Sequence, residues 1–197
     1  MQILDLTMPL DSETPVYPGE PKAQFLEAAT LATKGWNETR MQISSHFGTH
    51  IDAPYHMFAD GKKLSDFPVS AFLGSAIVLE LNAPLGLALV RKGDIVFLYT
   101  GHTDKMPGKE FFENNPVIPL PIATKLAEAG VRMVGIDSYS IDNPPFEIHK
   151  LLLRKNILIA ENLMNLKTLV GKRFTAYALP LHLKSGDGAP CRAIAVL

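Results

Sequence analysis

The order of elements along the chain predicts an α/β fold, a mixed sheet or partly closed barrel with a few helices outside it. Strands come first, a β-α-β-α-β series follows, and further strands close the chain. The runs 75–81 and 94–99 are rich in β-branched and aromatic residues, as is typical of buried strands. The 197 residues suit one domain, 1–197, with a sizeable core.

Composition argues against several classes of function. The net charge is -1, and nothing points to nucleic acid or to an anionic membrane surface. No run approaches the ~18 apolar residues of a membrane span, and the first residues do not resemble a signal peptide. The single cysteine, Cys191, cannot form an internal disulfide, so a reducing compartment is the default. We therefore expect a soluble cytoplasmic protein whose partner is neither a nucleic acid nor a membrane.

The N-terminal part of the chain alternates strands and loops. Residues 2–8 alternate apolar and polar side chains, which predicts a strand. Residues 11–22 contain three prolines and a glycine and predict an irregular loop. Within that loop, Tyr17 either packs on its own domain, walls a substrate site or reaches a partner subunit. Residues 23–32 fit either a strand or a helix, and residues 37–45 alternate as a strand does.

The middle of the chain pairs two strands with loops. A linker through Pro84 joins the strands at 75–81 and 94–99, and a long loop at 101–116 follows. His102 opens this loop. Because glycine-containing loops at strand ends often face sites in α/β proteins, His102 is either a wall of the site or an ordinary surface histidine.

The second half of the chain contains two predicted helices and the closing strands. Residues 120–129 form an amphipathic pattern that Gly130 can cap, and residues 146–155 form a second helical pattern. The remaining strands are predicted at 132–137, 157–160, 173–179 and 191–196.

One stretch of eleven residues, from His46 to His56, concentrates the chemistry. In an extended strand, His46, His50 and Asp52 share one face. His56 joins them if the chain stays extended through Pro54. In a helix, Asp52 would lie about 200° round from His50, and the proline disfavours a helix interior. Two imidazoles and a carboxylate on one face suit a divalent metal such as zinc or manganese, whereas unpartnered charges rarely line an apolar strand.

Two later residues extend this candidate site. Glu161 follows an apolar strand, and a carboxylate there must be paired, exposed or bound to metal. His149 lies on the apolar face of the second predicted helix. Alone, each has an ordinary explanation: Glu161 as an acid at a helix N-terminus, and His149 as a core histidine bonded to a backbone carbonyl. Beside the first cluster, a bridging Glu161 and a second-site His149 would complete a two-metal centre.

The pattern H-x-G-T-H-x-D-x-P-x-H, from His46 to His56, resembles the signature of the metal-dependent cyclase family, which includes bacterial kynurenine formamidase and isatin hydrolase. His149 and Glu161 match the late ligand pair of that family in type and spacing. Further segments that resemble the family lie at 14–20, 99–101, 135–142 and 186–193.

The resemblance implies a swivelling β/β/α fold and a homodimer or homotetramer. It also implies two divalent metal ions per chain, zinc in formamidases and manganese in isatin hydrolase, and we favour zinc. His46, His50 and Asp52 would bind the first ion. Asp52 and Glu161 would bridge to a second ion that His149 completes.

We therefore expect a hydrolase of an amide, formamide or lactam, with N-formylkynurenine and isatin as model substrates. Metal-activated water would attack the carbonyl, and His56 would act as general acid and base. The alternatives are a metal-binding protein of the same fold without catalytic activity, and a cyclase or dehydratase acting on another cyclic substrate. A serine nucleophile is disfavoured because the chain has no Gly-x-Ser-x-Gly motif.

The chain departs from its resemblance to this family at two substrate walls. Formamidases carry a tryptophan in the N-terminal loop where this chain has Tyr17, and many members carry an aromatic residue where it has His102. Both changes lie away from the expected ligands, so they affect the choice of substrate and leave the chemistry alone. We expect the pocket to be lined by Tyr17, Phe47, Phe58 and His102.

Overall fold

The strands and helices were assigned in a computed structural model, which describes residues 1–81, 83, 86–106 and 111–197. Pro84 of the predicted linker and residues 107–110 of the predicted loop lie outside these described residues. The strands are β1 Ile3–Asp5, β2 Gln24–Ala29, β3 Glu38–Gln42, β4 His50–Asp52, β5 Leu73–Glu80, β6 Ile95–Tyr99, β7 Met133–Ile136, β8 Leu158–Glu161, β9 Arg173–Pro180 and β10 Gly188–Val196. The helices are α1 Leu31–Lys34, α2 Leu120–Ala129 and α3 Glu147–Arg154.

Seven of these strands close into a mixed, barrel-like sheet. Strands β5, β6, β7 and β8 run parallel, and β4 is antiparallel to both β8 and β10. Strand β9 completes the ring by pairing antiparallel with β10 on one side and β5 on the other. Strand β1 adds to the C-terminal half of β10. The predicted mixed sheet or partly closed barrel with outer helices is confirmed.

Side chains of the parallel strands alternate between two cores. In β5, Ala76 and Val78 belong to the core inside the barrel, whereas Ile77 and Leu79 belong to the core between the sheet and the helices. The same alternation continues through β6, β7 and β8. Burial on both faces explains why these strands are continuous apolar runs in the sequence. Helices α2 and α3 cover the outer face.

The two longer helices begin and end close to their predicted bounds. Helix α2 has the bounds predicted for it, and Gly130 ends it in the left-handed region with φ 70°. Helix α3 starts one residue later than predicted, because Phe146 lies in the left-handed region. Glu161 is the last residue of β8 and was predicted to follow that strand. Among the described residues, no helix has the length and apolar character needed to span a membrane.

The N-terminal region departs most from the predicted strands. The ambiguous segment divides into β2 and α1, because Thr30 caps the helix through reciprocal hydrogen bonds with Thr33. Strands β2 and β3 form a separate two-stranded sheet. Strand β3 ends at Gln42, so it does not continue into the histidine stretch as the alternating pattern indicated.

Candidate metal centre

Three elements bring the candidate ligands together on the outer face of the barrel. In β4, Ile51 points into the barrel core, so His50 and Asp52 on either side of it point outward. Glu161 pairs with His50 across the β4–β8 register. Helix α3 packs on the same face and carries His149, which is buried.

The prediction of one extended strand from His46 to His56 is wrong. Only the three residues of β4 form a strand there. Gly48 has φ 63°, in the left-handed region, and a Cβ atom at that position would clash with the side chain of Leu10. A turn therefore carries His46 to the site. After β4, Pro54 starts a 3₁₀-helix that carries His56.

Two buried carboxylates lie among the imidazoles. Oδ1 of Asp52 is 2.7 Å from Nδ1 of His46 and 3.3 Å from Nε2 of His50. Its Oδ2 is 3.7 Å from Nε2 of His149. The two carboxylate oxygens of Glu161 each lie 3.4 Å from a ring nitrogen, one on His50 and one on His149. Asp52 is thus positioned to link three histidines, and Glu161 is positioned to link two.

Each of these three imidazoles uses its second ring nitrogen for an acceptor outside the cluster. The pairs are His50 Nδ1 with the Gly48 carbonyl at 2.8 Å, His149 Nδ1 with Asp142 at 2.5 Å and His46 Nε2 with Asp187 at 2.9 Å. Such partners fix the tautomer and the ring orientation of a metal-binding histidine. One nitrogen of every ring is therefore left to face the cluster.

The electrostatics of the cluster are those of a site that attracts positive charge. Burial alone would lower the pKa of His50, but the carboxylates of Asp52 and Glu161 raise it to about 10. Burial would also lower the pKa of His46, but the carboxylates of Asp52 and Asp187 outweigh this effect and raise that pKa to about 9. Burial would raise the pKa of Asp52, and the neighbouring imidazoles hold it well below its ordinary value. The carboxylates therefore favour positive charge at this site, carried by protonated imidazoles or by a bound metal ion.

The residues of the cluster fit a divalent metal. Nε2 of His50 and Oδ2 of Asp52 are buried and have no hydrogen-bond partner, so both atoms are free to bind an ion. Ligand atoms of His46, His50 and Asp52 all lie within 4.8 Å of one another. The same is true of Asp52, His149 and Glu161. Imidazole nitrogens combined with carboxylate oxygens suit zinc or manganese.

His56 lies beside the cluster. Its ring centroid is 4.1 Å from that of His46 and 6.0 Å from that of His149. Burial lowers the pKa of His56 below its ordinary value, and the charge on Asp52 opposes this shift only in part. The ring is therefore neutral at pH 7 and able to accept a proton.

A cavity of about 290 Å³ opens above the cluster. His56 borders it, together with the cluster residues His46, His50, His149 and Glu161. The aromatic walls are Tyr17, Phe47, Tyr139 and Phe146. Tyr17 meets the ring of Tyr139 edge-on at 5.8 Å and is 47% exposed. The arrangement can hold a planar group over the cluster.

Two of the four predicted pocket residues lie elsewhere. His102 is buried, and its Nε2 donates to the carbonyl of Phe111 at 2.6 Å, so its ring packs inside its own loop. Phe58 packs under the guanidinium of Arg154, with 3.6 Å between that group and the ring centroid. Among the described residues, neither lines the cavity. The described cavity therefore differs from the predicted pocket at these two positions.

Sequence reasoning missed four residues of this region. Asp142 and Asp187 are the acceptors for two of the imidazoles, and Tyr139 and Phe146 are cavity walls. Asp142 also accepts hydrogen bonds from the backbone amides of residues 148 and 149, so it anchors the start of α3. The segments 135–142 and 186–193, singled out by resemblance, contain three of these four residues.

Comparisons with known proteins find sequence similarity over most of this chain. The family model described as putative cyclase matches residues 4–143. An uncharacterized protein of Methanocaldococcus jannaschii is 35% identical over 198 residues and covers 100% of both chains. The kynurenine formamidase of Geobacillus thermodenitrificans is 33% identical over 201 residues, covering 96% of this chain and 95% of the relative.

Solved structures share the fold over nearly the whole chain. An isatin hydrolase bound to the product analogue thioisatinate superposes with a TM-score of 0.88 at 22% identity, covering 100% of this chain and 92% of the other. A predicted metal-dependent hydrolase from Bacillus stearothermophilus gives a TM-score of 0.81 at 25% identity, covering 98% and 97%. The fold is therefore that of the isatin hydrolases and cyclases.

Proposed function

The chain belongs to the cyclase family and is a metal-dependent hydrolase of C–N bonds, and we propose that its substrate is an aryl formamide, amide or lactam. The candidate substrates of this class are N-formylkynurenine and isatin, because the chain is similar to a kynurenine formamidase and to an isatin hydrolase. The observation that carries the proposal is the buried histidine–carboxylate cluster at the floor of an aromatic cavity.

In this proposal each chain holds two divalent ions, zinc in preference to manganese. His46, His50 and Asp52 would hold one ion, and Asp52, Glu161 and His149 would hold the other. A bound divalent ion supplies Lewis-acid chemistry, because it lowers the pKa of bound water towards 7 and polarises a carbonyl oxygen. The outer acceptors described above keep the three imidazoles in the orientation that this requires.

The aromatic walls of the cavity bind and orient the substrate. Tyr17 and Tyr139 meet edge-on, and Phe47 and Phe146 border the same space. A planar aryl group between them excludes water and places its amide carbonyl towards the cluster. This accounts for an aryl substrate without fixing which one.

His56 moves the proton. Its neutral ring lies beside the cluster and borders the cavity in which the water molecule and the substrate nitrogen would lie. The imidazole accepts the proton as the water oxygen bonds to the carbonyl carbon. It returns that proton to the leaving nitrogen as the C–N bond breaks, so the ring finishes neutral.

Hydrolysis by the reloaded protein tests this proposal. Protein stripped with a chelator and then reloaded with zinc or manganese should convert N-formylkynurenine, isatin or a related aryl amide. Chromatography of substrate and product would follow the reaction, and the stripped protein is the control. Metal-loaded protein that leaves both compounds and a wider panel of formamides and lactams unchanged would contradict the proposed function.

A further inference from the structure

The turn at Asp187 and Gly188 is built around the ring of His46. A Cβ atom on Gly188 would lie 2.7 Å from Cε1 of that ring and 2.9 Å from the carbonyl of Ile51, so only glycine allows this approach. The backbone amide of Ala53 donates to the carbonyl of Asp187 at 2.8 Å. The turn is thereby fixed to the end of β4, and the Asp187 side chain is held beside the cluster.

The carboxylate of Asp187 faces two imidazoles with different expected roles. Its Oδ2 lies 2.9 Å from Nε2 of His46 and 3.7 Å from Nδ1 of His56. Asp142, the other outer carboxylate, bonds the ring of His149, and among the described residues it makes no ion pair with His56. Within the described residues, Asp187 is therefore placed to act on both a candidate ligand and the candidate proton carrier.

We propose that Asp187 is a positioning residue shared by His46 and His56. By accepting the Nε2 hydrogen of His46, it leaves Nδ1 of that ring for the metal. By accepting the Nδ1 hydrogen of His56, it leaves Nε2 as the atom that takes the proton from water and returns it to nitrogen. The 3.7 Å separation is longer than a hydrogen bond, and the proposal requires it to shorten in the loaded enzyme, since catalytic hydrogen bonds are often long before ligands bind.

A carboxylate in this position also matches the charge that develops during the reaction. When His56 accepts a proton its ring becomes cationic, and an adjacent carboxylate stabilises that cation while holding the tautomer. The role at His56 rests on the proposed function, whereas the role at His46 rests only on metal binding.

The substitution Asp187→Asn in the full-length protein tests the shared role. Competition with a chromophoric chelator should show zinc affinity reduced about 10- to 100-fold. At saturating zinc, kcat should fall with little change in KM. Nitrogen-15 NMR of the zinc-loaded proteins should show the hydrogen of His56 on Nδ1 in the wild type and divided between the two ring nitrogens in the variant.

Two matched substitutions control this experiment. Asp142→Asn should also weaken zinc binding, through His149, but should leave the tautomer of His56 unchanged. Asp60→Asn removes the same charge from the exposed partner of Arg154 and should change none of the three measurements. Because the hydrogen bond from Ala53 is to the backbone of Asp187, we expect the Asp187→Asn variant to fold.

Two results would overturn the inference. Zinc affinity and the His56 tautomer could both match the wild type in Asp187→Asn, or zinc affinity could fall while His56 keeps its tautomer. Absence of hydrolysis by the wild-type zinc protein would instead count against the proposed function. The affinity and tautomer measurements would still decide the role of Asp187.

Discussion

The floor and the rim of the cavity are constructed differently. At the floor, Asp52 is 1% exposed and Glu161 is 5% exposed, and both are held by secondary structure of the closed sheet. At the rim, Tyr17 is 47% exposed and lies on an irregular loop. Burial fixes the geometry of the floor, where the chemistry needs it. Residues at the rim can change with little cost to the stability of the fold. The rim is therefore where the choice of substrate can vary.

The substitution Asp52→Asn should have the largest effect, because Asp52 belongs to both candidate metal sites. An amide keeps the shape of the side chain but loses the charge that attracts the ions. We expect loss of metal and of hydrolysis together, by more than the about 10- to 100-fold typical of outer partners. Metal analysis after gel filtration, together with an activity assay, checks this. Full metal content would contradict the assignment.

The substitution His56→Ala should separate catalysis from metal binding. Metal content should stay at the wild-type value, whereas kcat should fall about 10²- to 10⁴-fold, the usual contribution of a general acid–base group. His182→Ala is the matched control, since His182 is exposed and lies outside the cavity. Wild-type turnover in His56→Ala would exclude its role as the proton carrier.

Changes at the rim should alter substrate binding and leave the floor intact. Tyr17→Ala removes an edge-on aromatic contact with Tyr139, so kcat/KM for an aryl substrate should fall about 2- to 10-fold. Tyr17→Phe keeps the ring and should retain most of the activity. Metal content should not change in either variant. An equal loss in both variants would point to the hydroxyl group and not to the ring.

The smallest effect on activity is expected from His102→Ala, since the His102 ring packs inside its own loop. The variant leaves the carbonyl of Phe111 without its donor, which should cost about 1–3 kcal/mol of unfolding free energy. Metal affinity and hydrolysis should stay at wild-type values. Denaturant unfolding of the zinc-loaded proteins measures the change in unfolding free energy. A large loss of kcat/KM would show instead that His102 contributes to the substrate site.

The sequence predicts the floor better than the rim, for physical reasons. The alternation of His50 and Asp52 about an apolar residue is a local property of a strand and can be identified in the sequence. His46 reaches the same site through a left-handed turn at Gly48, which hydrophobic periodicity does not reveal. The predicted convergence thus agrees with the geometry, although the extended path that was expected to produce it is wrong.

Contacts between distant segments account for what the sequence could not show. Asp187 meets His46 across 141 positions, and nothing near either residue specifies that pairing. The strand-end rule pointed to the loop after β6, but none of the described residues of that loop borders the cavity, because the rule does not say which way His102 turns. Tyr139, which follows β7, forms the wall in its place.

Titration of the metal-free protein with zinc tests the central claim, that the buried cluster holds the ions on which hydrolysis depends. Calorimetry in two buffers of different ionisation enthalpy should show two zinc ions per chain and a net release of protons. The pKa values of His46, about 9, and His50, about 10, leave both rings protonated at pH 7 until zinc displaces those protons, so affinity should rise with pH. Hydrolysis should return as zinc binds. Failure to bind zinc, or full activity without it, would contradict the account.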